Sequence, residues 1–407
     1  MDTYIASQLL LLIRQDQPVP DEMSVETWHS LLGLAQRTDV LALVAARILD
    51  LPTAAPGDLR RALENHLRSE ARHHGFFFVE AERISDALTA QGIRSVVLKG
   101  AGLAPTIYAR PEQRSFRDLD ILVDPSRRRQ AMACVEGLGY DLIGRPSLVE
   151  TYGRYHFHYI YDGTGKPRLE LHWGLARPDS VYHLDPETLL ERPVRWPQRG
   201  VFCPRPEAQV LHCALNLMRS GFTELKRLVD LDRLLRANPR LDGEWIVVQA
   251  HRGGLGPALG AAMELCRDML GTPAVDPAFD DLLPRRTRAA LHKLPVHSFP
   301  LALPPSQRVL APQLVRYHLA EHRWALLVQV LRRPRFERER LRALGVPRWR
   351  RELATAKRAV RLLNLALWAL LPKWRHHTIT PDLVTASSPS NSEPREADRA
   401  DTPERSS

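Results

Sequence analysis

Two aspartates, Asp118 and Asp120, stand one residue apart in the run Arg117–Val123 (RDLDILV). The apolar and β-branched residues of this run predict a strand, in which side chains two positions apart point to the same face. Two neighbouring carboxylates repel each other unless a cation lies between them, and Mg²⁺ prefers oxygen ligands of this kind. The spacing therefore indicates a metal site, although a strand end whose carboxylates simply face water has the same spacing.

A third carboxylate stands in a second strand-like run, Leu169–Trp173 (LELHW), which places Glu170 and His172 on one face. Two divalent ions about 3.5–4 Å apart need more ligands than one aspartate pair supplies, so a two-metal phosphoryl-transfer site requires such a residue. The alternative for Glu170 is an exposed strand residue. His172 is equally consistent with a catalytic histidine and with a hydrogen-bonded histidine of the sheet.

The segment Leu98–Gly102 (LKGAG) lies where a predicted strand turns into a predicted helix. Backbone N–H groups at a helix start, with the charge of Lys99 and the small Gly100 beside them, suit an anion. The alternative is a helix-start turn that needs glycine for backbone reasons. Arg114 and Arg117 flank the aspartate strand, where they are either solvated loop residues or donors to the charge that develops on a departing phosphate group.

The elements that must position these residues follow from the hydrophobic pattern. Helical periodicity covers residues 1–92. Strands and helices alternate over residues 93–177, which end in a predicted hairpin over residues 155–173, and helical segments return over residues 178–385. The polar stretch 386–407 predicts disorder. The predicted fold class is α+β, a small mixed β-sheet core embedded in a largely helical chain.

Composition limits the location of the protein. The apolar run Leu9–Ile13 has no basic segment before it and predicts no signal peptide. The stretch Leu362–Leu371 is about half of the ~20 residues that cross a bilayer, so no transmembrane segment is predicted. The four cysteines are scattered and are expected to be reduced thiols. A cytoplasmic protein is the expectation.

The positive charge of the chain is concentrated near its end. Residues 332–375 contain twelve arginines and two lysines against three glutamates, whereas the whole chain has a net charge of +10. This segment predicts either an anionic partner, such as a nucleic acid or a membrane surface, or solvated arginine-rich helices.

Together these motifs resemble the uncharacterised bacterial nucleotidyltransferase family within the DNA polymerase beta superfamily. The resemblance covers roughly residues 25 to 270, and it is carried by Lys99-Gly100, Leu103-Ala104, Tyr108, Arg114, Arg117–Val123 and Leu169–Trp173. It implies that Lys99 and Gly100 hold nucleotide phosphates, and that Asp118, Asp120 and Glu170 hold two Mg²⁺ ions, with Mn²⁺ as the alternative. The turn reads Lys-Gly-Ala-Gly where most of the superfamily has Gly-Gly or Gly-Ser.

The segment Val229–Asp232, together with His212 and Lys226, also resembles the helical second half of that family. Asp230 and Asp232 are about 200° apart on a helix, so they cannot form a second metal pair. Asp230 is interpreted as a cap, an ion-pair partner or a substrate contact, and His212 as a core histidine.

The resemblance implies a Mg²⁺-dependent nucleotidyltransferase. It would move a nucleoside monophosphate from a nucleoside triphosphate, such as ATP, to a hydroxyl or phosphate of an acceptor: a small molecule, a peptide, a protein or an RNA. Two alternatives stay open at this point. One is a non-catalytic module that binds nucleotide, and the other is a nucleic-acid-associated or membrane-associated factor that uses the same fold.

Overall fold

The computed structural model describes residues 3–14, 23–51, 55–144, 150, 153–154, 156–197, 199–274 and 276–291, with short stretches between 315 and 356. Within these ranges the helices are α1 (Thr3–Ile13), α2 (Val25–Arg37), α3 (Leu41–Leu49), α4 (Gly57–Ala90), α5 (Lys99–Ile107), α6 (Arg128–Gly137), α7 (Pro186–Leu190), α8 (Pro206–Ser220), α9 (Leu225–Ala237), α10 (Gly243–Arg252), α11 (Gly256–Leu270) and α12 (Arg285–Leu291). Short 3₁₀ helices occupy Pro111–Gln113, Pro125–Arg127 and Pro277–Phe279.

The strands of the described residues are β1 (Ser95–Val97), β2 (Leu119–Val123), β3 (Asp141–Leu142), β4 (His158–Asp162), β5 (Leu169–His172), β6 (Val194–Arg195) and β7 (Phe202–Cys203). The first five form one mixed sheet in the order β1-β2-β5-β4-β3. Strand β2 runs parallel to β5, and the other neighbouring pairs of this sheet are antiparallel. The parallel pair at the centre of the sheet brings two segments that are distant in sequence side by side.

The alternation of side chains along the strands gives the sheet two covered faces. On one face Leu119, Ile121 and Leu171 join a core with the long helix α4 and with α6. On the other face Val96 and Leu122 join the core of the helical regions. That second core contains residues of α1–α3 as well as of α8–α11, so helices from both ends of the described chain pack together against the sheet.

The predicted α+β class is confirmed, since a small mixed sheet lies among many helices. The predicted strand over 119–123 is β2, and the predicted hairpin is β4 and β5. The short edge strand β3 has no counterpart in the sequence prediction. In the part of the chain that the structure describes, no helix combines the length and the apolar character needed to cross a bilayer.

Three sequence predictions lie wholly or largely outside the described residues. They are the polar stretch 386–407, the apolar stretch Leu362–Leu371, and most of the basic segment 332–375.

Candidate active site

Three carboxylates meet where β2 and β5 begin. The register of the parallel pair sets Asp120 directly beside Glu170, and Asp118 immediately precedes β2. Because Asp118 and Asp120 are two positions apart, they point to the same face, and oxygen atoms of all three residues lie within 4.8 Å of one another. This cluster can hold a metal ion through oxygen ligands alone.

Lys99, the first residue of α5, contacts this cluster. Its ammonium group donates a hydrogen bond to Asp120 Oδ1, and its Nζ lies 3.5 Å from Glu170 Oε2. The backbone of Lys99 has a φ of +49°, a left-handed conformation that costs a residue with a side chain about 1–3 kcal/mol. The turn thus holds a positive charge over two of the three carboxylates at an energetic cost.

The charges of the cluster shift the pKa values of its members in different directions. Burial and the negative charge of Asp120 raise the pKa of Asp118. Burial also acts to raise the pKa of Asp120, but the charge of Lys99 and the hydrogen bond from His172 outweigh it and lower that pKa well below its ordinary value. For Lys99, burial is outweighed by the charges of Asp120 and Glu170, which raise its pKa. Lys99 is therefore protonated and Asp120 ionised at neutral pH.

Two histidines flank the carboxylates on the same face of the sheet. His172 is 2% exposed, and its Nε2 lies 2.9 Å from Asp120 Oδ1 and 3.3 Å from Glu170 Oε2. The predicted shared face of Glu170 and His172 is thereby confirmed. Across the hairpin, His158 pairs with His172 in the antiparallel register. Burial and the neighbouring His172 lower the pKa of His158 to about 4, so its ring is neutral at pH 7.

A cavity of about 300 Å³ opens beside the cluster and reaches it through Asp118 and Lys99. Its walls are the β1–α5 turn, the loop before β2, and the helices α8 and α9. This volume is at the lower end of the roughly 300–1,000 Å³ typical of small-molecule sites. Its polar lining residues are Asp39, Lys99, Arg114, Ser115, Arg117, Asp118, Gln209, His212, Asn216, Glu224, Lys226, Arg227 and Asp230.

The two glycines of the turn are required for close packing. A Cβ atom on Gly102 would lie 2.5 Å from the backbone oxygen of Val97, and one on Gly100 would lie 2.5 Å from Cβ of Phe116. Gly100 also lines the cavity. The first N–H groups of a helix have no hydrogen-bond partner within the helix. In α5 the N–H of Gly100 is one of these groups, since it comes before the N–H of Gly102, which donates to the Leu98 carbonyl. The packing requirement and the predicted role towards an anion are therefore compatible.

Arg114 faces the cavity but is held by a buried ion pair. Its Nε and Nη2 donate to the two carboxylate oxygens of Asp230 at 2.6 and 2.7 Å, and Tyr108 donates to Asp230 at 2.8 Å. Asp230 is thus an ion-pair partner, one of the interpretations of its sequence context. The side chain of Arg117 is largely exposed and is bound to Glu70 of α4, with Nη1 and Oε2 3.0 Å apart.

Sequence reasoning missed three residues near the cluster: His158, Asn216 and Arg219. His158 could have been found from the hairpin, because the strand alternation and the pairing with β5 set it opposite His172. Arg219 Nη1 lies 3.5 Å from Asn216 Oδ1, and its guanidinium stands 4.9 Å from the centre of the Phe157 ring. Both residues are on α8, whose position against the sheet depends on tertiary packing.

Clustered carboxylates, a lysine at a helix start and an adjoining cavity lined by lysine and arginine side chains are together compatible with a site for a metal ion next to an anion. Residues 24–271 match the family model described as uncharacterised nucleotidyltransferase. The match spans more than half of the chain, and the protein belongs to this family. Membership supports a transferase activity. No curated protein that was compared matches the chain.

Proposed function

We propose that the protein is a Mg²⁺-dependent nucleotidyltransferase that moves a nucleoside monophosphate from a triphosphate such as ATP to a hydroxyl or phosphate of an acceptor. The observation that carries this proposal is the group of oxygens from Asp118, Asp120 and Glu170 within 4.8 Å of one another. The cavity beside this group is lined by Asp118 and Lys99, so a bound nucleotide would lie next to the carboxylates.

The donor set fits hard divalent cations, because it consists of carboxylate oxygens. Asp118 and Asp120 would hold two Mg²⁺ ions, or Mn²⁺ in their place, and Glu170 would complete the ion nearer the nucleophile. When bound, these ions would supply the positive charge that stabilises the phosphates during transfer.

The reaction proposed for this site replaces the anhydride bond between the α- and β-phosphates of the donor by an ester bond, or a new anhydride bond, to the acceptor. An acceptor oxygen forms a bond to the α-phosphorus, the bond from that phosphorus to the bridging oxygen of the β-phosphate breaks, and pyrophosphate leaves. Glu170, whose side chain is partly exposed, is the proposed acceptor of the proton when the nucleophile is a hydroxyl. The transfer needs no oxidant or reductant.

Lys99 and the turn that follows it are the proposed phosphate contacts. Cations bound to Asp120 and Glu170 would replace the ammonium of Lys99 there and leave it available to a phosphate, beside the N–H of Gly100. Arg117 is the more exposed of the two predicted arginines, although its side chain pairs with Glu70. Arg114 is held in place by Asp230. Only the N–H groups of its guanidinium that do not bind Asp230 would be available to a nucleotide in the cavity.

The test uses purified full-length protein, α-labelled nucleoside triphosphates, Mg²⁺ and a pool of cell metabolites and macromolecules. Asp118→Asn and Asp120→Asn should each lower label transfer by at least about 10²-fold, because each removes a ligand of the ions whose positive charge would stabilise the transition state. Asp162→Asn is the matched control, since Asp162 is an exposed carboxylate of the same sheet that pairs with Arg168. Undiminished transfer by either cluster variant would disprove the assignment.

A second candidate is a non-catalytic module that binds nucleotide without turnover. The contact of Lys99 with Asp120 and Glu170 favours it, because an internal ammonium already neutralises part of the cluster. Calorimetry separates the two proposals. Nucleotide binding that releases no pyrophosphate and is unchanged by Asp120→Asn would support the binding module, whereas binding that depends on Mg²⁺ and on Asp120 would support the enzyme.

A further inference from the structure

Two imidazoles and a carboxylate form a second group of potential ligands beside the three carboxylates. His158 of β4 is the antiparallel partner of His172 of β5, and Glu170 lies two positions before His172 on the same face. One ligand atom from each of the three residues lies within 4.8 Å of the others. The ring centres of His158 and His172 are 4.9 Å apart. Backbone pairing of two strands, and not a loop, sets this arrangement.

The hydrogen bonding of the two rings is incomplete. The Nε2 of His172 faces Asp120 and Glu170. Its Nδ1 and the Nδ1 of His158 are both buried and have no hydrogen-bond partner among the residues that the structure describes. A buried polar atom without a partner costs about 1–3 kcal/mol, which is why such atoms usually have a ligand or an ordered water. One nitrogen of each of these two adjacent imidazoles is thus without a partner in the described part of the chain, on a face of the sheet that also carries carboxylates.

We propose that His158, Glu170 and His172 form a site for one divalent transition-metal ion, next to the three-carboxylate site and sharing Glu170 with it. Imidazole nitrogens suit ions such as Zn²⁺ and Co²⁺, whereas Mg²⁺ prefers oxygen ligands and keeps several of its waters. The ligand set therefore selects against Mg²⁺ at this position. The three-carboxylate site has the opposite preference, so the two sites differ in the ion that each takes.

Because both sites use Glu170, an ion at the histidine site would change cation binding at the three-carboxylate site. A transition-metal ion held by Glu170 withdraws one carboxylate oxygen from Lys99, which stands 3.5 Å from Glu170 Oε2, and from any Mg²⁺ ion bound at Asp118 and Asp120. Occupancy of the histidine site is therefore coupled to cation binding at the carboxylates. Metal binding at His158, Glu170 and His172 does not depend on whether the protein transfers nucleotides.

The experiment titrates metal-free, full-length protein with Co²⁺ in saturating Mg²⁺ and follows the visible absorption of the bound ion. Wild-type protein should bind one equivalent of Co²⁺ that Mg²⁺ does not displace. His158→Gln should weaken this binding by at least about 10²-fold, because His158 is a proposed direct ligand and the loss of an outer-shell partner alone costs a metal site roughly 10–100-fold. His183→Gln is the matched control, because His183 is an exposed histidine outside this group.

Equal Co²⁺ affinity in wild type and His158→Gln, or complete displacement of Co²⁺ by Mg²⁺, would overturn the proposal. A second measurement needs no variant. One equivalent of Cu²⁺ added to the wild-type protein should show electron paramagnetic resonance couplings to two imidazole nitrogens, and coupling to one or none would also overturn it. Loss of nucleotide transfer in Asp120→Asn is measured without any transition metal, so the two proposals fail separately.

Discussion

Replacement of Lys99 by methionine should make the protein depend on Mg²⁺ for part of its stability. Lys99 donates to Asp120, which is 2% exposed, while the side chain of Lys99 itself is 24% exposed. Loss of one partner from a fully buried ion pair costs about 3–5 kcal/mol. Because Lys99 is partly exposed, we expect a cost of about 2–3 kcal/mol in the absence of metal. The residue at position 99 keeps its positive φ in Lys99→Met. The backbone strain is therefore the same in the variant and in wild type, and it does not contribute to the difference in stability.

A Mg²⁺ ion bound at these carboxylates would restore the missing positive charge, and in the variant it would not have to displace an ammonium group. The Mg²⁺ affinity of Lys99→Met should therefore exceed that of wild type by roughly 30–150-fold, the equivalent of about 2–3 kcal/mol. For a domain of roughly 150–250 residues, about the length of the family match over residues 24–271, 1 kcal/mol corresponds to about 2–4 °C in Tm. Saturating Mg²⁺ should accordingly raise the Tm of the variant by about 5–10 °C more than that of wild type.

Thermal unfolding with and without Mg²⁺ measures the difference, and calorimetry measures the affinity. Lys166→Met is the matched control, because Lys166 stands over the ring of Tyr140 and does not contact the carboxylates. Its Mg²⁺-induced shift should equal that of wild type. If Lys99→Met and wild type shift by the same amount, Lys99 and Mg²⁺ do not compete for these carboxylates, and the reasoning is refuted.

Two further predictions concern stability alone. Asp230→Asn should lower the free energy of unfolding by about 3–5 kcal/mol, because it leaves the buried guanidinium of Arg114 without its counter-charge. Urea unfolding of the variant and of wild type measures this loss. A loss below about 1 kcal/mol would contradict the prediction. Burial lowers the pKa of His74 from 6.5 to about 4, so the unfolded chain takes up the proton first and acidification favours unfolding. Stability should fall by up to about 1.4 kcal/mol per pH unit between about pH 6.5 and 4, and His74→Leu should remove this contribution; an unchanged pH profile would exclude it.

The sequence was most informative where local pattern decides structure. Alternation along β2 correctly predicted that Asp118 and Asp120 share a face, and the same rule placed Glu170 with His172. Both predictions follow from the two-residue period of a strand, which does not depend on the rest of the fold. The confirmed hairpin had a similarly local basis, since its turn residues lie between two β-rich runs.

Contacts between distant segments could not be predicted in the same way. Arg114 and Asp230 are 116 positions apart, and their pairing depends on how α9 packs beside α5 and the loop before β2. A loop arginine next to predicted metal ligands has no local feature that separates a phosphate contact from a buried ion pair. The side chain of Lys99 posed a similar difficulty, because its direction depends on a left-handed φ that only the folded turn imposes.

The positively charged side chains that line the cavity are already paired with carboxylates, which would affect the binding of an anion there. Lys226 is bound to Asp39 at 3.0 Å, and Arg227 to Glu224 at 2.6 Å. A polyanion would have to break such pairs, each at a cost, unless it brings positive charge with it. Cations at the carboxylates would supply that charge and would replace Lys99 there at the same time. Metal binding and phosphate binding should therefore be mutually reinforcing at this site, with Lys99 as the residue that links them.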